Sequence, residues 1–571
     1  MKIQSKSNVE TGTSFGQLTW RDCFEDDEMY TYIEITECLI AARPKPRITP
    51  APSDSFVPSP ANKTLTLPMR RSLFSHVPPF IIFQDSASTA KLPSVITKHL
   101  LWWREKKYSP RIIYSMVTKS GFRTTTKRTS AWCGTWCTSK LVYSQLKRTR
   151  MFSKVNLFPS SFHFGDKILL CKNFRRMRRK HGSRNFDFMP LTFILPEERD
   201  SLRRYMQKNG GIWILKPPCS CAGCGIKIVS RLYEIPNDRS LIAQRYISKP
   251  RLIDGIKFDI RLYVLLTSID PLRIYVYNDG LVRLATIKYV NHASTLSNRF
   301  MHLTNTSVNK HSPNFEVNDD PGKRKGNMWS LSCLWKYFST LEDVDPSDIW
   351  LKIKDIAIKT IISAESFLVK AWKKNSMSSY NCYQLFGFDI LLDKGYQPWL
   401  LEVNTFPSMN PDTPLCGIVK GQLTKDYLNL VGFHVPNVLT GKELKILRTS
   451  YKEDTVCYNH HLYSSALTWA DRQKQYAFSR VTNRGEYLKT ILRNLTPGDV
   501  RVLIRHEDEI TQTGRFEKIF PTYDTFKYLG LFDETRYYNM LLDAWENEYA
   551  KNRSVGIERL RKLCRRKYHL T

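Results

Sequence analysis

Between residues 210 and 410, short apolar runs alternate with polar positions in the period of β-strands. Phe258 to Leu266 is one such run, closed by Asp270-Pro271, and Arg273 to Tyr277 is the next. Asn278-Asp279-Gly280 then precedes Leu281 to Tyr289. An Asp-Gly between two such runs predicts a hairpin turn there. Phe386 to Asp389 and Leu400 to Asn404 form a second pair, separated by Asp393-Lys394-Gly395-Tyr396-Gln397-Pro398. Pro398 has no N–H to give a ladder, so the turn is expected to take in 393–398. From Asp348 to Trp372 the period changes. Ile349, Ile353, Ile356, Thr360, Ala364, Phe367 and Ala371 recur every three or four residues and predict a helix. After Pro436 the texture is mostly helical, and Thr496-Pro497-Gly498-Asp499 reads as an N-cap followed by a first turn. Upstream, Ala41 to Pro68 is rich in proline and poor in large apolar residues, which predicts an extended linker; globular texture begins near Leu73. The pattern contains no internal repeat.

Charge changes this picture. The 571 residues carry a net charge of +34, and Leu101 to Arg184 holds 21 Lys/Arg against Glu105 and Asp166. Such density calls for an anionic partner, either nucleic acid or an acidic protein surface, unless it is a solvated face. Trp102, Trp103, Trp132 and Trp136 alternate with these cations. They suit a single-strand nucleic-acid platform or the core and rim of a small α/β domain, and the second is the expectation here. No nucleic-acid module is recognisable. No apolar run approaches the roughly 20 residues of a membrane helix, and Met1 to Glu10 is polar, unlike a secretory signal. Thirteen cysteines, an odd number in a long chain, fit reduced thiols better than a disulfide framework.

Four segments carry candidate chemistry. Lys216 follows the apolar run Ile212 to Leu215 and precedes a small-residue loop, Pro217 to Gly225, whose backbone N–H groups could approach phosphate oxygens. Walker-type loops put the lysine after the glycines, so this is not one. Cys219, Cys221 and Cys224 in the loop have poor zinc spacing. In the second strand pair, counting back from Leu392 opposite Trp399 puts Asp389 opposite Glu402, with Asn404 on the same face. Two carboxylates and an amide oxygen among apolar residues suit Mg²⁺ completed by nucleotide phosphates; the other reading is a pair of exposed strand carboxylates. Lys257, Asp259 and Arg261 alternate and share one strand face, which suits a ribose and a phosphate chain or a salt-bridge ladder. His302, beside Met301 and Leu303, reads by itself as a core histidine.

Together these strings resemble the tubulin tyrosine ligase-like family, and within it a tubulin polyglutamylase. The matching segments are Trp213 to Ile226, Gln244 to Pro250, Lys257 to Val264, Asp270 to Tyr275, Asp279 to Arg283, His302 to Asn305, Leu385 to Asp389 and Leu401 to Asn404. Weaker similarity extends the match to roughly 72–571. The resemblance implies an α/β (α+β) ATP-grasp fold. Its expected parts are a Pro-rich start (1–71), a basic N-terminal α/β lobe (72–205), an ATP-grasp catalytic core (206–440) and a helical, basic C-terminal region (441–571).

The residue roles below are those the resemblance implies. Lys216 holds ATP phosphates, joined by Lys167 from the preceding lobe. Gln244, Arg245, Tyr246 and Ile247 line the adenine. Lys257, Asp259, Thr304 and Asn305 contact the nucleotide, and Arg261 faces the transferred phosphoryl group or the acyl-phosphate. Asp389, Glu402 and Asn404 hold Mg²⁺. Arg283 and Ser307 bind free L-glutamate. The activity implied is ATP-dependent glutamylation of acidic tubulin tails on microtubules, in the cytoplasm and cytoskeleton or a cilium or basal body, with neither membrane nor nucleic acid as partner. Three positions depart from the family pattern. Ala222 replaces an Arg that meets the acceptor, Thr306 replaces a Tyr, and Met328, before Trp329, replaces a Lys that helps bind the amino acid; Lys325 is near but offset. These departures keep two alternatives open: a ligase for glycine or for another acidic protein, and a catalytically weak microtubule-binding protein.

Overall fold

The structure, a computed structural model, describes residues 69–85, 101–104, 109–127, 131–137, 149–218, 223–341, 343–375, 378–452 and 454–571. The Pro-rich segment lies outside these residues. The first sheet is small and parallel. Its strands β1 (Trp102–Arg104), β2 (Arg123–Thr125), β3 (Gly134–Thr135) and β4 (Lys154–Val155) run in the order β2-β1-β3-β4. Helix α1 (Arg111–Lys119) makes the crossover between β1 and β2 and buries Ile113, Met116 and Val117. Trp103, Trp132 and Trp136 are buried here, as a small α/β lobe requires. Helix α2 (Lys167–His181) follows, capped by the Asp166 side chain accepting from Ile168 and Leu169. Part of the basic stretch is paired with acids outside it. Arg175 pairs with Glu198, Arg176 and Lys180 with Asp533, and Arg178 with Asp187. The local charge count therefore overstates the cationic surface.

A second, antiparallel sheet has the order β5-β8-β6-β7 for β5 (Thr192–Leu195), β6 (Trp213–Lys216), β7 (Lys227–Val229) and β8 (Leu241–Arg245). Helix α3 (Arg199–Asn209) packs Leu202 and Met206 against Trp213, Leu215 and Ala243. The segment boundary expected at 205 falls between β5 and β6 and would cut this sheet. The central sheet has the order β11-β10-β9-β12-β13. Its members are β9 (Ile256–Ile269), β10 (Leu272–Leu284), β11 (Met328–Ser330), β12 (Gln384–Leu392) and β13 (Pro398–Asn404), all antiparallel. The alternation along β9 feeds two cores. Ile260, Leu262, Val264 and Leu266 join the cluster containing Ile353 and Ile356 of α4 (Pro346–Asn375). Tyr263 and Leu265 join Leu423 and Tyr427 of α5 (Pro414–Val431). The helical C-terminal region adds a strand of its own, β14 (Phe516–Phe520), which pairs with β10. The N-cap expected at Thr496 begins α6 (Pro497–Ile510), and Asp499 completes the reciprocal capping box. From residue 69 onward the described residues form one compact unit.

The hairpin expected at Asp279-Gly280 is not there. β9 and β10 turn at Asp270-Pro271, and β10 runs through 278–280 without reversing. Val264 pairs with Val276 but Leu262 with Gly280, so three residues of β10 bulge opposite Tyr263. The Asp279 carboxylate accepts from Gly280 N, Ser332 N and Arg515, which fixes the bulge. A Cβ on Gly280 would lie 2.5 Å from the Arg261 carbonyl oxygen. The Asp-Gly pair thus serves a close strand approach, which glycine alone permits, and not a turn.

Gly280→Ala is expected to destabilise the protein by about 1–3 kcal/mol through this overpacking. The measurement is the urea midpoint, which should fall at unchanged slope.

Candidate active site

The floor of the site is an ion-pair ladder across β12, β9 and β10. Alternation puts Asp259 and Arg261 on one face of β9, where Asp259 stands opposite Arg283 and Arg261 opposite Asp389. Arg261 donates Nε to Asp389 Oδ1 and Nη2 to Oδ2 at 3.1 Å. Arg283 donates Nη2 to the same Oδ2 at 2.8 Å, Nε to Asp259 Oδ1 at 2.8 Å, and Nη2 also to Asp259 Oδ2. Burial by itself would raise the Asp389 carboxyl, but Arg261 and Arg283 outweigh it and hold the group well below the usual carboxylate range. Arg283 was expected to meet glutamate; here its Nε and Nη2 are committed to two aspartates.

The wall comes from the second sheet and the start of α2. Lys216, at the end of β6 and 5 % exposed, donates Nζ to Gln244 Oε1 at 2.7 Å and to the Leu401 carbonyl at 3.4 Å. Gln244 in turn donates Nε2 to Thr192 Oγ1 at 3.1 Å, which orients it toward the lysine. Lys167, the first residue of α2, lies 3.3 Å from Glu402 Oε2, and its backbone N–H reaches the Pro218 carbonyl at 3.4 Å. Burial pushes the Lys216 ammonium down to about 8, with Glu402 and Asp389 opposing the shift.

The pairing of Asp389 with Glu402 is as expected, but it arises by another route. Near the turn the register is Leu392↔Pro398, Leu391↔Trp399 and Ile390↔Leu400, one residue off the sequence count. A β-bulge at Leu401 restores the offset, so Asp389 faces Glu402 and Gly387 faces Asn404. Leu401, without a partner on the facing strand, presents the carbonyl that Lys216 reaches.

The rim is formed by 299–309 and the end of β8. Lys257 donates Nζ to Tyr246 Oη at 3.0 Å and to the His302 carbonyl at 2.9 Å. His302 is a buried histidine as expected, with Nδ1 2.9 Å from Tyr246 Oη and Nε2 3.2 Å from Thr295 Oγ1. Burial, reinforced by Lys257, pushes its imidazole down to about 4. Lys257 itself is pushed down to about 7 by burial, against the pull of Asp259. Thr304 is buried, Asn305 lies beside Gly223 of the Lys-Pro loop, and Ile247 and Ser307 are half-buried. Arg245 is the exception. Its side chain donates to the Gly210 carbonyl at 2.7 Å and lies 5.5 Å above the Trp213 ring, because neighbours on a strand point to opposite faces. Only the Arg245 backbone can line a ligand on the Gln244 side. Cys219, Cys221 and Ala222 lie outside the described residues.

The donors around Glu402 fit a hard divalent cation. Glu402 is partly open, with a side chain 23 % exposed, and Asp389 Oδ1 has one acceptor position left after Arg261. Asn404 is half-buried, and its amide Nδ2 is buried and unpaired among the described residues. An all-oxygen set of this kind suits Mg²⁺. Sequence reasoning missed three residues. Lys420 of α5 is buried near Arg261 and donates to the Asn410 carbonyl at 2.7 Å. Arg299 donates to the Gly223 carbonyl at 2.9 Å, and Asn309 donates to the Leu303 carbonyl at 2.7 Å, organising the rim. A lysine in an otherwise apolar stretch of α5 was the one available signal. Met328 stands opposite Arg283, packed with Leu281, Leu415, Cys416 and Val419.

The family described as "Tubulin-tyrosine ligase family" matches residues 145–442. The human protein named "Tubulin monoglutamylase TTLL4" is 36 % identical over 565 residues, covering 96 % of this chain and 46 % of its own length. A Caenorhabditis elegans protein named "Tubulin polyglutamylase ttll-4" is 35 % identical over 501 residues, 88 % of this chain and 80 % of its own. A Tetrahymena thermophila protein named "Probable beta-tubulin polyglutamylase" is 38 % identical over 305 residues, 52 % of this chain and 25 % of its own. The chain thus spans less than half the length of the human relative.

The buried lysines give a pH test. Lys216 and Lys257 are lowered from 10.5 in the folded state, so the cost of burying their charge is fully present below about pH 7. It is relieved as they lose protons that the unfolded chain still holds, so stability should rise from pH 7 to 9. Each lysine contributes a slope of at most about 1.4 kcal/mol per pH unit. Denaturation at a series of pH values should show a positive slope that is smaller in Lys257→Met.

Proposed function

The chain belongs to the tubulin-tyrosine ligase family, and from that premise we propose that it joins free glutamate to side-chain carboxylates of acidic tubulin tails, using ATP. The observation that carries this reading is the meeting of Lys216 and Lys167 with Asp389, Glu402 and Asn404. Cations from one side and hard oxygen donors from the other converge beside Arg261, an arrangement suited to a polyphosphate. A carboxylate is a poor electrophile, so the tail carboxylate first takes the γ-phosphoryl group of ATP, releasing ADP and leaving an acyl-phosphate. The glutamate amino group then forms the amide bond, losing a proton and expelling phosphate. Lys216 and Lys167 offset the charge of the phosphate chain, and Arg261 faces the phosphoryl group in transfer. Gln244 and the Leu401 carbonyl keep the Lys216 ammonium aimed. Gln244, Tyr246 and Ile247 line the adenine, with Lys257, Asp259, Thr304 and Asn305 along the nucleotide. Mg²⁺, held by Glu402, Asn404 and Asp389 Oδ1, supplies neutralisation of phosphate charge.

One observation favours a second reading. Where the family pattern has a lysine toward the amino acid, Met328 fills an apolar cluster opposite Arg283. That weakens amino-acid capture and suits a microtubule-binding protein with little ligase activity, or a different amino-acid substrate.

Purified protein with microtubules, Mg-ATP and labelled glutamate or glycine separates these readings. Glutamate should be incorporated, and Glu402→Gln should abolish incorporation without lowering thermal stability. Full activity of that variant at ordinary Mg²⁺ would overturn the metal assignment, and nucleotide binding without incorporation of either amino acid would favour the second reading.

Capture of the tail is proposed to be electrostatic. Microtubule binding should weaken steeply as the Debye length shrinks from about 10 Å at 0.1 M salt to about 3 Å at 1 M. Removal of the acidic tails should weaken it in the same way, and salt-insensitive binding to tailless microtubules would contradict the proposal.

A further inference from the structure

Toward the other end of β9 and β10 lies a cavity of about 40 Å³ that the ligase reading does not use. Its charged lining is Arg70, Lys154, Arg273, Arg505, Asp508 and Glu509. Four cations face two carboxylates, and both carboxylates are already well supplied with donors. Glu509 accepts from Arg273 Nη2 at 2.9 Å, Thr267 Oγ1 at 3.0 Å and Tyr275 Oη at 3.0 Å. Asp508 accepts from Ser72 Oγ at 2.6 Å and Leu73 N at 2.9 Å, with Arg70 at 3.8 Å.

The cations are less well matched. Arg273 is 2 % exposed, and its Nε and Nη1 have no partner among the described residues. Lys154 donates to the Tyr380 carbonyl at 2.8 Å, with its ammonium 3.6 Å from the Tyr380 ring centre. Arg505 donates to the Arg501 carbonyl at 3.2 Å and to Ser379 Oγ. Each of these acceptors is neutral, and the carboxylate that acts on both cations, Glu509, is shared with Arg273, so the lining carries two more positive charges than negative. Buried charge without a counter-charge is strongly unfavourable, as are buried N–H donors without acceptors. Burial pushes Lys154 down to about 7 and Arg505 down to about 10, with Arg273 adding to both shifts.

We propose that this cavity binds one chloride ion, which accepts from Arg273 and neutralises the cluster formed with Lys154 and Arg505. The volume supports a water-sized occupant, which needs about 10–15 Å³ by the same measure. The ion would join four segments far apart in sequence: a two-residue strand at Met69–Arg70, β4 at Lys154, β10 at Arg273 and α6 at Arg505. It would stabilise the folded chain by mass action and take no part in ligation.

Two measurements on the full chain test the proposal. In the first, crystals grown with bromide replacing chloride are searched for anomalous scattering. A bromide peak beside Arg273 is expected; water alone, or a larger oxyanion, in the cavity would overturn the assignment. In the second, thermal unfolding is followed at constant ionic strength as sodium gluconate is exchanged for sodium chloride. Tm should rise by about 2–4 °C between about 10 and about 500 mM chloride. Lys154→Gln keeps a donor for the Tyr380 carbonyl but removes the charge, and should reduce that rise to less than half. Identical Tm in the two salts for the wild-type chain would overturn the proposal, as would an undiminished rise in the variant.

Discussion

The ladder from Arg261 through Asp389 and Arg283 to Asp259 is the constraint on which the rest of the site depends. These side chains lie within the central sheet, where a single unpaired charge would cost several kcal/mol. Each therefore has to meet its partner, and the partners sit on three different strands. That requirement ties the register of β9 to those of β10 and β12, because a one-residue slip would turn every charge into an apolar face. With the registers held, Glu402 and Asn404 on β13 follow in fixed places beside Asp389.

The site's outer cations arrive by a different principle. Lys216 and Lys167 are carried on the second sheet and on α2, and meet the central sheet at Leu401 and Glu402. Both are buried, and in the free protein burial outweighs Glu402 and Asp389 in setting the cost of the Lys216 charge. An arriving polyanion is matched to a site that already holds these cations. The lowered value of Lys216 is the same fact seen from the side of the proton: burial disfavours the charged form until a counter-charge enters. The family relationship gives this arrangement a context, and the relatives' names point to glutamylation of tubulin. The apolar setting of Met328 marks where this chain departs from that pattern.

Much of the site could be read from residue order alone. Alternation placed Asp259 and Arg261 on one face, and simple counting put Asp389 opposite Glu402. The count was right at the site although it was wrong at the turn. Pro398 does pair with Leu392, and the bulge at Leu401 makes up the difference. Asp279-Gly280 misled for a related reason. The same dipeptide suits a tight turn and a bulge, and what decided between them was the close approach of the Arg261 backbone and the demand of Ser332 and Arg515 for the Asp279 carboxylate. Arg245 shows the limit of a contiguous motif, since residues adjacent in a strand cannot share a pocket with their side chains.

By itself, the sequence determined the helix of α4, the capped start of α6, and the strand faces carrying charge, because these depend on local period and residue chemistry. Only the tertiary structure decided that the boundary at 205 runs through a sheet, that β14 joins the central sheet from the far end of the chain, and that Lys420, Arg299 and Asn309 belong to the site. It also decided that five cations of the basic stretch, Lys167, Arg175, Arg176, Arg178 and Lys180, meet Glu402, Glu198, Asp533 and Asp187. These outcomes rest on contacts between residues far apart in the chain, and local pattern carries no record of which distant charge a buried group will meet.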